Sequence, residues 1–427
     1  MVDELFFRRE KTEKSQLNIA NFYGDFMEIT NCRLCNSVRI SKVVDLGFHP
    51  LADTFLPEAL LRESEVWYPL QLGLCQSCGH VFTLFSVSAE DRYQKNEYSY
   101  DSSNSKVSIE HFKEFAEAVI KEVELSKDSL IVDIGSNVGT LLSHFKSFGY
   151  QNVLGVEPSK NISRIAIESG VPTVVEFWGQ KVAAEIKGVG PVDVLLSSNV
   201  VNHADDLVGL LATARNVLRA SGIFVFEVPY LLDLVKGTAF DTIYHEHVHY
   251  YGLKPLAECL HRQGFSIYKV ERLSYMCGSI RVFTRLGGNT DASVSELIRD
   301  EDEFGLYEKA TFELFMERVR KVKFTVNAHL SNIRLEGGKI IGIGAATKGN
   351  TFLNYCRLDS DVISYITDAS PLKIGKLTPG SHIPIISDND IDPDATHALI
   401  LPWNIAPFLQ KKLAHLGLKF YVPQVNQ

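Results

Sequence analysis

The chain is 427 residues long, 45% hydrophobic and 22% charged, enough to bury several cores, and length alone predicts about two to four domains. A formal charge of −9 and a pI near 5.8 argue against an extended basic face, and so against nucleic acid as the substrate, while leaving room for a local basic groove. No run approaches the roughly 18 consecutive apolar residues of a membrane span, and the charged stretch from Met1 to Lys14 lacks the makeup of a signal peptide; both point to a cytoplasmic chain without membrane contact.

Residues 1–27 mix charge and aromatics without periodicity and read as an N-terminal extension. Residues 28–95 carry short apolar runs, turn residues and four of the seven cysteines, the texture of a small β-rich, metal-stapled module. In Cys32-Arg-Leu-Cys35 and Cys75-Gln-Ser-Cys78 a two-residue spacer lets both thiolates face one ion, and two such knuckles complete a tetrahedral site. Zinc held by four thiolates has no open position, so a structural metal is expected and the chemistry must lie elsewhere. The alternative, four free core cysteines, is disfavoured by the paired spacing.

A central domain is placed at 96–290. Its lead-in, Tyr98-Ser99-Tyr100-Asp101-Ser102-Ser103, is either a plain linker or a place where tyrosine hydroxyls meet substrate. Ser105 to Leu125 has helical spacing, with Ile109, Phe112, Phe115, Ala116 and Ile120 able to share one face. From Leu130 the pattern becomes strand, loop, helix, repeatedly, with apolar runs at Leu130 to Asp133, Val153 to Glu157, Val192 to Leu196 and Gly222 to Glu227. Such runs predict buried parallel strands with crossover helices, a doubly wound sheet of Rossmann-like α/β class.

Asp133-Ile-Gly135-Ser136-Asn137-Val-Gly139-Thr140 follows the first of these strands. Glycines at such a turn let the backbone approach a ligand, and an acidic residue closing the next strand, Glu157, can take the hydroxyls of a ribose. A ligand-free tight turn is the competing reading. Against it stand Glu157, Phe177 within Glu176-Phe177-Trp178, and Asn199 at the expected ends of later strands. No G-x-G-x-x-G is present, and Asn137 takes the place of the middle glycine that a pyrophosphate prefers. The loop therefore leans toward S-adenosylmethionine, whose amino acid end Ser136 and Asn137 can hydrogen-bond.

Tyr244-His245-Glu246-His247-Val248-His249-Tyr250-Tyr251 is the densest titratable cluster, placed after the fifth strand, near the edge where such sheets bind ligands. A histidine here is a candidate general base; a satisfied core cluster is the alternative, and a zinc site is disfavoured because H-E-x-x-H spacing is absent. Residues 291–336 read as a helical connector, and the strand-like runs Lys339 to Gly344, Val362 to Asp368 and His397 to Leu401 predict a second α/β unit, so that 291–427 forms a C-terminal domain. Within it Gly342-Ile-Gly344-Ala-Ala-Thr347-Lys348-Gly349-Asn350-Thr351 is similar to an anion-binding turn, with a ligand-free turn again the alternative.

Taken in order, these pieces resemble the sugar C-methyltransferases, which act on nucleotide-linked keto-deoxysugars. The resemblance runs from about Cys32 to the C-terminus: a four-cysteine zinc domain, a central S-adenosylmethionine domain with an I-G-S-N-D-G-type turn, a Y-H-E-H signature, and a C-terminal domain opening with G-x-G-A-x-x-K-G. It implies that His247 is the base, supported by Glu246, Tyr244 and Tyr98. It further implies that Asp133, Gly135, Ser136, Asn137, Gly139, Glu157, Phe177 and Asn199 hold S-adenosylmethionine. The sugar and its phosphates would meet Tyr100, Ser102, Arg281, Lys348, Asn350, Thr351 and Asn354. The chain departs from the family at Val138, where Asp is frequent, and at Met276-Cys277-Gly278-Ser279-Ile280-Arg281, where an H-G-G-S-L-R-type motif is expected. The rival readings are a small-molecule O- or N-methyltransferase and a non-catalytic zinc-containing binding protein. A monomer or small homo-oligomer is expected.

Overall fold

The structure, a computed structural model, describes residues 26–93, 98–288 and 291–423, so the expectation for the N-terminal extension falls almost wholly outside the described residues. The first unit is built on Phe26–Glu28 (β1), Ile40–His49 (β2), Leu56–Pro57 (β3), Tyr68–Cys75 (β4), Val81–Thr83 (β5) and Phe85–Val87 (β6). Strand β4 alternates little and is buried almost throughout, because it lies between β2 and β5 and carries the core of the module on both faces. The cysteine knuckles sit at its C-terminal end and at the turn before β2.

The central sheet begins with Ile131–Ile134 (β7), Val153–Val156 (β8), Thr173–Val174 (β9), Val192–Ser198 (β10) and Leu218–Pro229 (β11), all parallel neighbours. After the short strand His249–Tyr250 (β12), an antiparallel pair, Phe265–Leu273 (β13) and Ser279–Leu286 (β14), extends the sheet, in the order β13-β14-β11-β10-β7-β8-β9. Every residue of β7 is buried, as expected of a parallel strand covered by helices on both faces. Strand order reverses between β7 and β10, so the crevice for a ligand opens at their C-terminal ends, where Gly135 and Asn199 follow.

The predicted first helix forms over Lys106–Glu122, but its buried face is rotated from the expected one. Ile109 is 37% exposed, whereas His111 and Val119 are inside. The reason is polar: His111 Nε2 reaches the buried Glu227 carboxylate at 2.6 Å, and that contact turns the helix.

The connector is two helices, Ala292–Phe304 and Lys309–Leu335, separated at Gly305, whose φ of +71° supplies the left-handed turn that ends the first. The last unit contains Ile340–Ile343 (β15), Ile366–Asp368 (β16), Lys376–Leu377 (β17), Ile385–Ser387 (β18), His397–Ile400 (β19) and Lys419–Tyr421 (β20). Five of them form a parallel sheet in the order β18-β16-β15-β19-β20, the second α/β unit that the sequence predicts. Among the described residues no helix is long and apolar enough to cross a membrane.

The three units exchange strands. β12, from the Y-H-E-H segment, completes the module's sheet beside β5, with Tyr250 opposite Val81. β17 pairs with β3 of the module, Lys376 opposite Pro57. The module is thus closed in space by residues far beyond position 95.

Candidate active site

The four cysteine sulfurs lie within 4.8 Å of one another, with Cys32 Sγ and Cys78 Sγ 3.6 Å apart and Cys35 Sγ and Cys75 Sγ 3.5 Å apart. Zn–S bonds of about 2.3 Å in a tetrahedron put sulfurs roughly 3.8 Å apart, so the cluster fits zinc with no room for a further ligand.

A cleft of about 1640 Å³ opens between the central and C-terminal units. Pockets for one drug-sized ligand run to about 300–1,000 Å³, so this one accommodates two reactants. Its wall contains Asp133, Gly135, Ser136, Asn137, Glu157, Phe177 and Asn199 from the central sheet, together with Tyr98, Tyr100 and Ser102 from the lead-in. Tyr244, Glu246, His247 and Lys348 line the same space.

At the turn after β7, Gly135 has φ +66°, and a Cβ there would stand 2.3 Å from Val200 Cγ2. Asn137 also takes a left-handed conformation, φ 53°. Its side chain fastens the lead-in to the turn: Oδ1 accepts Ser102 N–H at 2.9 Å and Nδ2 donates to Tyr100 O at 3.0 Å. Glu157 accepts the amides of Asn137 and Ser159 at 3.1 and 2.8 Å. Burial, and then the Glu157 charge, push the Asp133 carboxyl up to about 8. Ser136 Oγ is buried and unpaired among the described residues. Underused acceptors and a close-approach glycine fit a ligand bearing an ammonium and hydroxyls. Gly139 stands behind the wall, capping the helix Thr140–Ser147 at φ +80°.

His247 donates from Nδ1 to Thr242 O at 2.9 Å, which fixes the tautomer and leaves Nε2 as the lone-pair nitrogen. Burial holds its pKa down at about 4. Its ring centroid is 3.9 Å from that of Tyr244 and 4.9 Å from that of His203. Glu246 accepts Asp53 N–H on Oε1 at 3.3 Å, while Oε2 is buried without a partner among the described residues. Burial first, then the Asp53 charge, push this carboxyl up to about 7. Burial also raises the Tyr98, Tyr100 and Tyr244 hydroxyls well above the usual phenol range. Of the segment's three histidines only His247 meets the cleft. His245 bonds Pro69 O at 3.3 Å, and His249 bonds Ala204 O at 2.9 Å and His80 at 2.8 Å.

Among the wall residues that escaped sequence reasoning are Tyr93, His203 and Asp53. Tyr93 bonds His203 Nδ1 through its hydroxyl at 2.8 Å, and Asp53 enters from the zinc module. None stands in a motif; only the fold brings them to His247.

Not every expected substrate residue reaches the cleft. Lys348 does, its Nζ donating to Asn404 Oδ1 at 2.7 Å and lying 4.0 Å over the Trp403 ring. Arg281 does not: it faces Glu227 in register across β11 and β14 and is spent on Glu227 and Glu271 at 2.7 and 3.0 Å. Asn350, Thr351 and Asn354 also lie off the wall. Their side chains bond Ala52 O, Ile243 O and Pro379 O at 2.6, 3.1 and 2.9 Å, fastening the helix Thr347–Cys356 to its surroundings.

Residues 32–93 match a zinc binding domain family, residues 108–270 a methyltransferase domain family, and residues 275–423 the C-methyltransferase C-terminal domain family. The chain is 30% identical over 407 residues to the C-methyltransferase NovU of Streptomyces niveus, covering 92% of this chain and 95% of that one. Among solved structures it is similar to an S-adenosylmethionine-dependent methyltransferase from Clostridium acetobutylicum, at 14% identity and a TM-score of 0.34 over 42% of this chain and 92% of that one. Magnesium protoporphyrin IX methyltransferase from Synechocystis, solved with bound S-adenosylmethionine, matches at 13% identity and a TM-score of 0.31 over 42% of this chain and 81% of that one. A zinc-fitting module, a glycine turn and a buried histidine around one cleft thus coincide with a full-length match, and the chain belongs to the S-adenosylmethionine-dependent C-methyltransferases.

Proposed function

We propose that the protein methylates a ring carbon of a nucleotide-linked keto-deoxysugar, at position 3 beside a 4-keto group, by way of an enolate, in the biosynthesis of a branched sugar. The observation that carries this reading is the single cleft shared by His247 and the turn from Asp133 to Asn137. Asp133, Ser136 and Glu157 would hold S-adenosylmethionine, with Phe177 and Asn199 walling its site. When bound, it would supply an electrophilic sulfonium methyl, and methylation at carbon then needs a carbon nucleophile.

The chain's task is to make that nucleophile. His247, neutral at pH 7, removes the proton α to the ketone with Nε2, and Thr242 O accepts from Nδ1 as charge develops on the ring. The hydroxyl of Tyr98 or Tyr244, kept protonated by burial, donates to the enolate oxygen. Lys348, on the cleft wall with Asn404 beside its ammonium, meets the diphosphate. Holding both reactants in one cleft lowers the barrier by up to roughly 7–11 kcal/mol.

Mass spectrometry with a panel of nucleotide-linked 4-keto and 3-keto sugars in D2O tests the reading. Expected are a methyl gain on one sugar and, with S-adenosylhomocysteine replacing the donor, exchange of its α-hydrogen for deuterium. Methyl gain without any exchange in the wild type would favour an O- or N-methyltransferase, and no gain on any sugar would overturn the substrate class.

A further inference from the structure

Asp53 belongs to the zinc module, yet it stands in the wall of the cleft and is 7% exposed. The bonds of its carboxylate and of its amide reach three parts of the chain, each at or beside a cleft residue. Oδ1 accepts Ser99 Oγ–H at 2.7 Å and Oδ2 accepts Ser99 N–H at 3.2 Å, between Tyr98 and Tyr100. Oδ1 also accepts Thr347 Oγ1–H at 2.7 Å, next to Lys348. The Asp53 amide donates to Glu246 at 3.3 Å, next to His247. The flanking residues continue the seam, with Ala52 O bonded to Asn350 at 2.6 Å and the Phe55 ring 4.9 Å from Lys373 Nζ. A carboxylate buried at such a junction is costly unless fully bonded, and once bonded it fixes geometry strictly.

We propose that Asp53 is a positioning residue for the methyl transfer: through Ser99, Glu246 and Thr347 it sets the lead-in tyrosines, the base and the cleft lysine at fixed separations. The zinc module is then part of the active site and not an accessory to it. This inference rests on the function proposed above.

Misplacing reacting groups by about 1 Å costs on the order of 100-fold in rate. Asp53→Ala should therefore lower kcat by about that factor while S-adenosylmethionine affinity, measured by calorimetry, stays within about twofold. Asp53→Asn, which keeps the Oδ1 acceptor for both hydroxyls, should recover most of the loss. Should Asp53→Ala not fold, Thr347→Val serves in its place: it removes one partner at constant size and should lower kcat in the wild-type background and again in Asp53→Asn, which still accepts the Thr347 hydroxyl. A kcat within about threefold of wild type in Asp53→Ala, or in Thr347→Val where that stands in, overturns the proposal; so does loss of donor binding in parallel with kcat.

Absence of wild-type turnover on every sugar is a failure of the substrate reading instead. Asp53 is then judged by the NMR titration of the Glu246 carboxyl, which needs no sugar. The groups facing Glu246 are Asp53 and Arg92, with Tyr93, Tyr98, Tyr244 and Tyr250 around them. Asp53→Asn should move that titration to lower pH, because a negative neighbour is removed, and an unmoved titration overturns the proposal.

Discussion

His249 lies opposite Phe82 in an antiparallel pairing, so the segment that carries His247 is also the edge strand of the zinc module. The cysteine cluster and His247 are thereby mechanically linked, although none of the four clustered cysteines lines the cleft.

Removing zinc should therefore disarm the enzyme without touching its reacting groups. Structural zinc contributes on the order of 10 kcal/mol to folding of its module. Chelation, or Cys32→Ser, should lower Tm, flatten the near-UV dichroism and abolish methyl transfer. Full activity after the metal is shown by elemental analysis to be gone would contradict this.

If His247 is the base proposed above, an amide cannot stand in for its lone-pair nitrogen. His247→Asn should cut turnover by about 10³ or more and leave calorimetric binding of S-adenosylmethionine within about twofold, since the donor turn lies on other strands. Residual activity near the wild-type level would assign the base elsewhere.

Glu246 gives a pH signature. Burial raises its folded pKa to about 7 from 4.5. A carboxyl raised on folding favours the folded state below its unfolded pKa, and that contribution is lost as pH climbs through the folded value. Stability should thus fall between about pH 4.5 and 7 on account of this group, and Glu246→Gln, which cannot ionise, should melt higher than wild type at alkaline pH and much less so at pH 5. Each kcal/mol corresponds to about 2–4 °C in a domain of this size. Equal melting differences at both pH values would remove Glu246 from the account.

Much of this was legible before any coordinates. The two C-x-x-C pairs, the strand-turn-helix at Asp133 and the Y-H-E-H run each pack their chemistry into adjacent residues, and adjacency survives folding. Arg281 reads wrongly for the complementary reason. Its neighbours in sequence place it near the substrate, but a residue in the middle of β14 faces whatever the register puts opposite, and the register puts Glu227 there. Asp53, Tyr93 and His203 could not be singled out, because their partners lie as far off as Thr347 in sequence. The rotated face of the first helix was hidden likewise, since an apolar pattern does not anticipate a histidine drawn inward by a buried carboxylate.

Arg281 and Lys348 should separate cleanly when mutated. Arg281→Ala strands the buried Glu227 carboxylate and should cost about 3–5 kcal/mol of stability, with KM unchanged in protein that remains folded. Lys348→Met should leave Tm nearly unchanged and raise KM for the nucleotide-linked sugar by about tenfold or more. Urea melts and initial-rate kinetics on both variants decide it.

Gly135→Ala forces a side chain into a left-handed conformation and against Val200. The conformational penalty, roughly 1–2 kcal/mol, lowers stability, and the turn must shift to relieve the Val200 clash, so affinity for S-adenosylmethionine should drop about tenfold or more while His247 keeps its place. Unchanged affinity would show that the backbone does not need to approach the ligand there.

The pairing of β12 with β5 and of β17 with β3 has a practical consequence for anyone cutting the gene. A fragment confined to the central sheet would expose the naked hydrogen-bonding edge of His249–Tyr250, and a fragment confined to the zinc module would lack the strand that covers Val81–Thr83. Bare edges of that kind invite association with other chains. Truncated pieces are accordingly expected to aggregate, and the smallest soluble unit should contain all three parts of the chain.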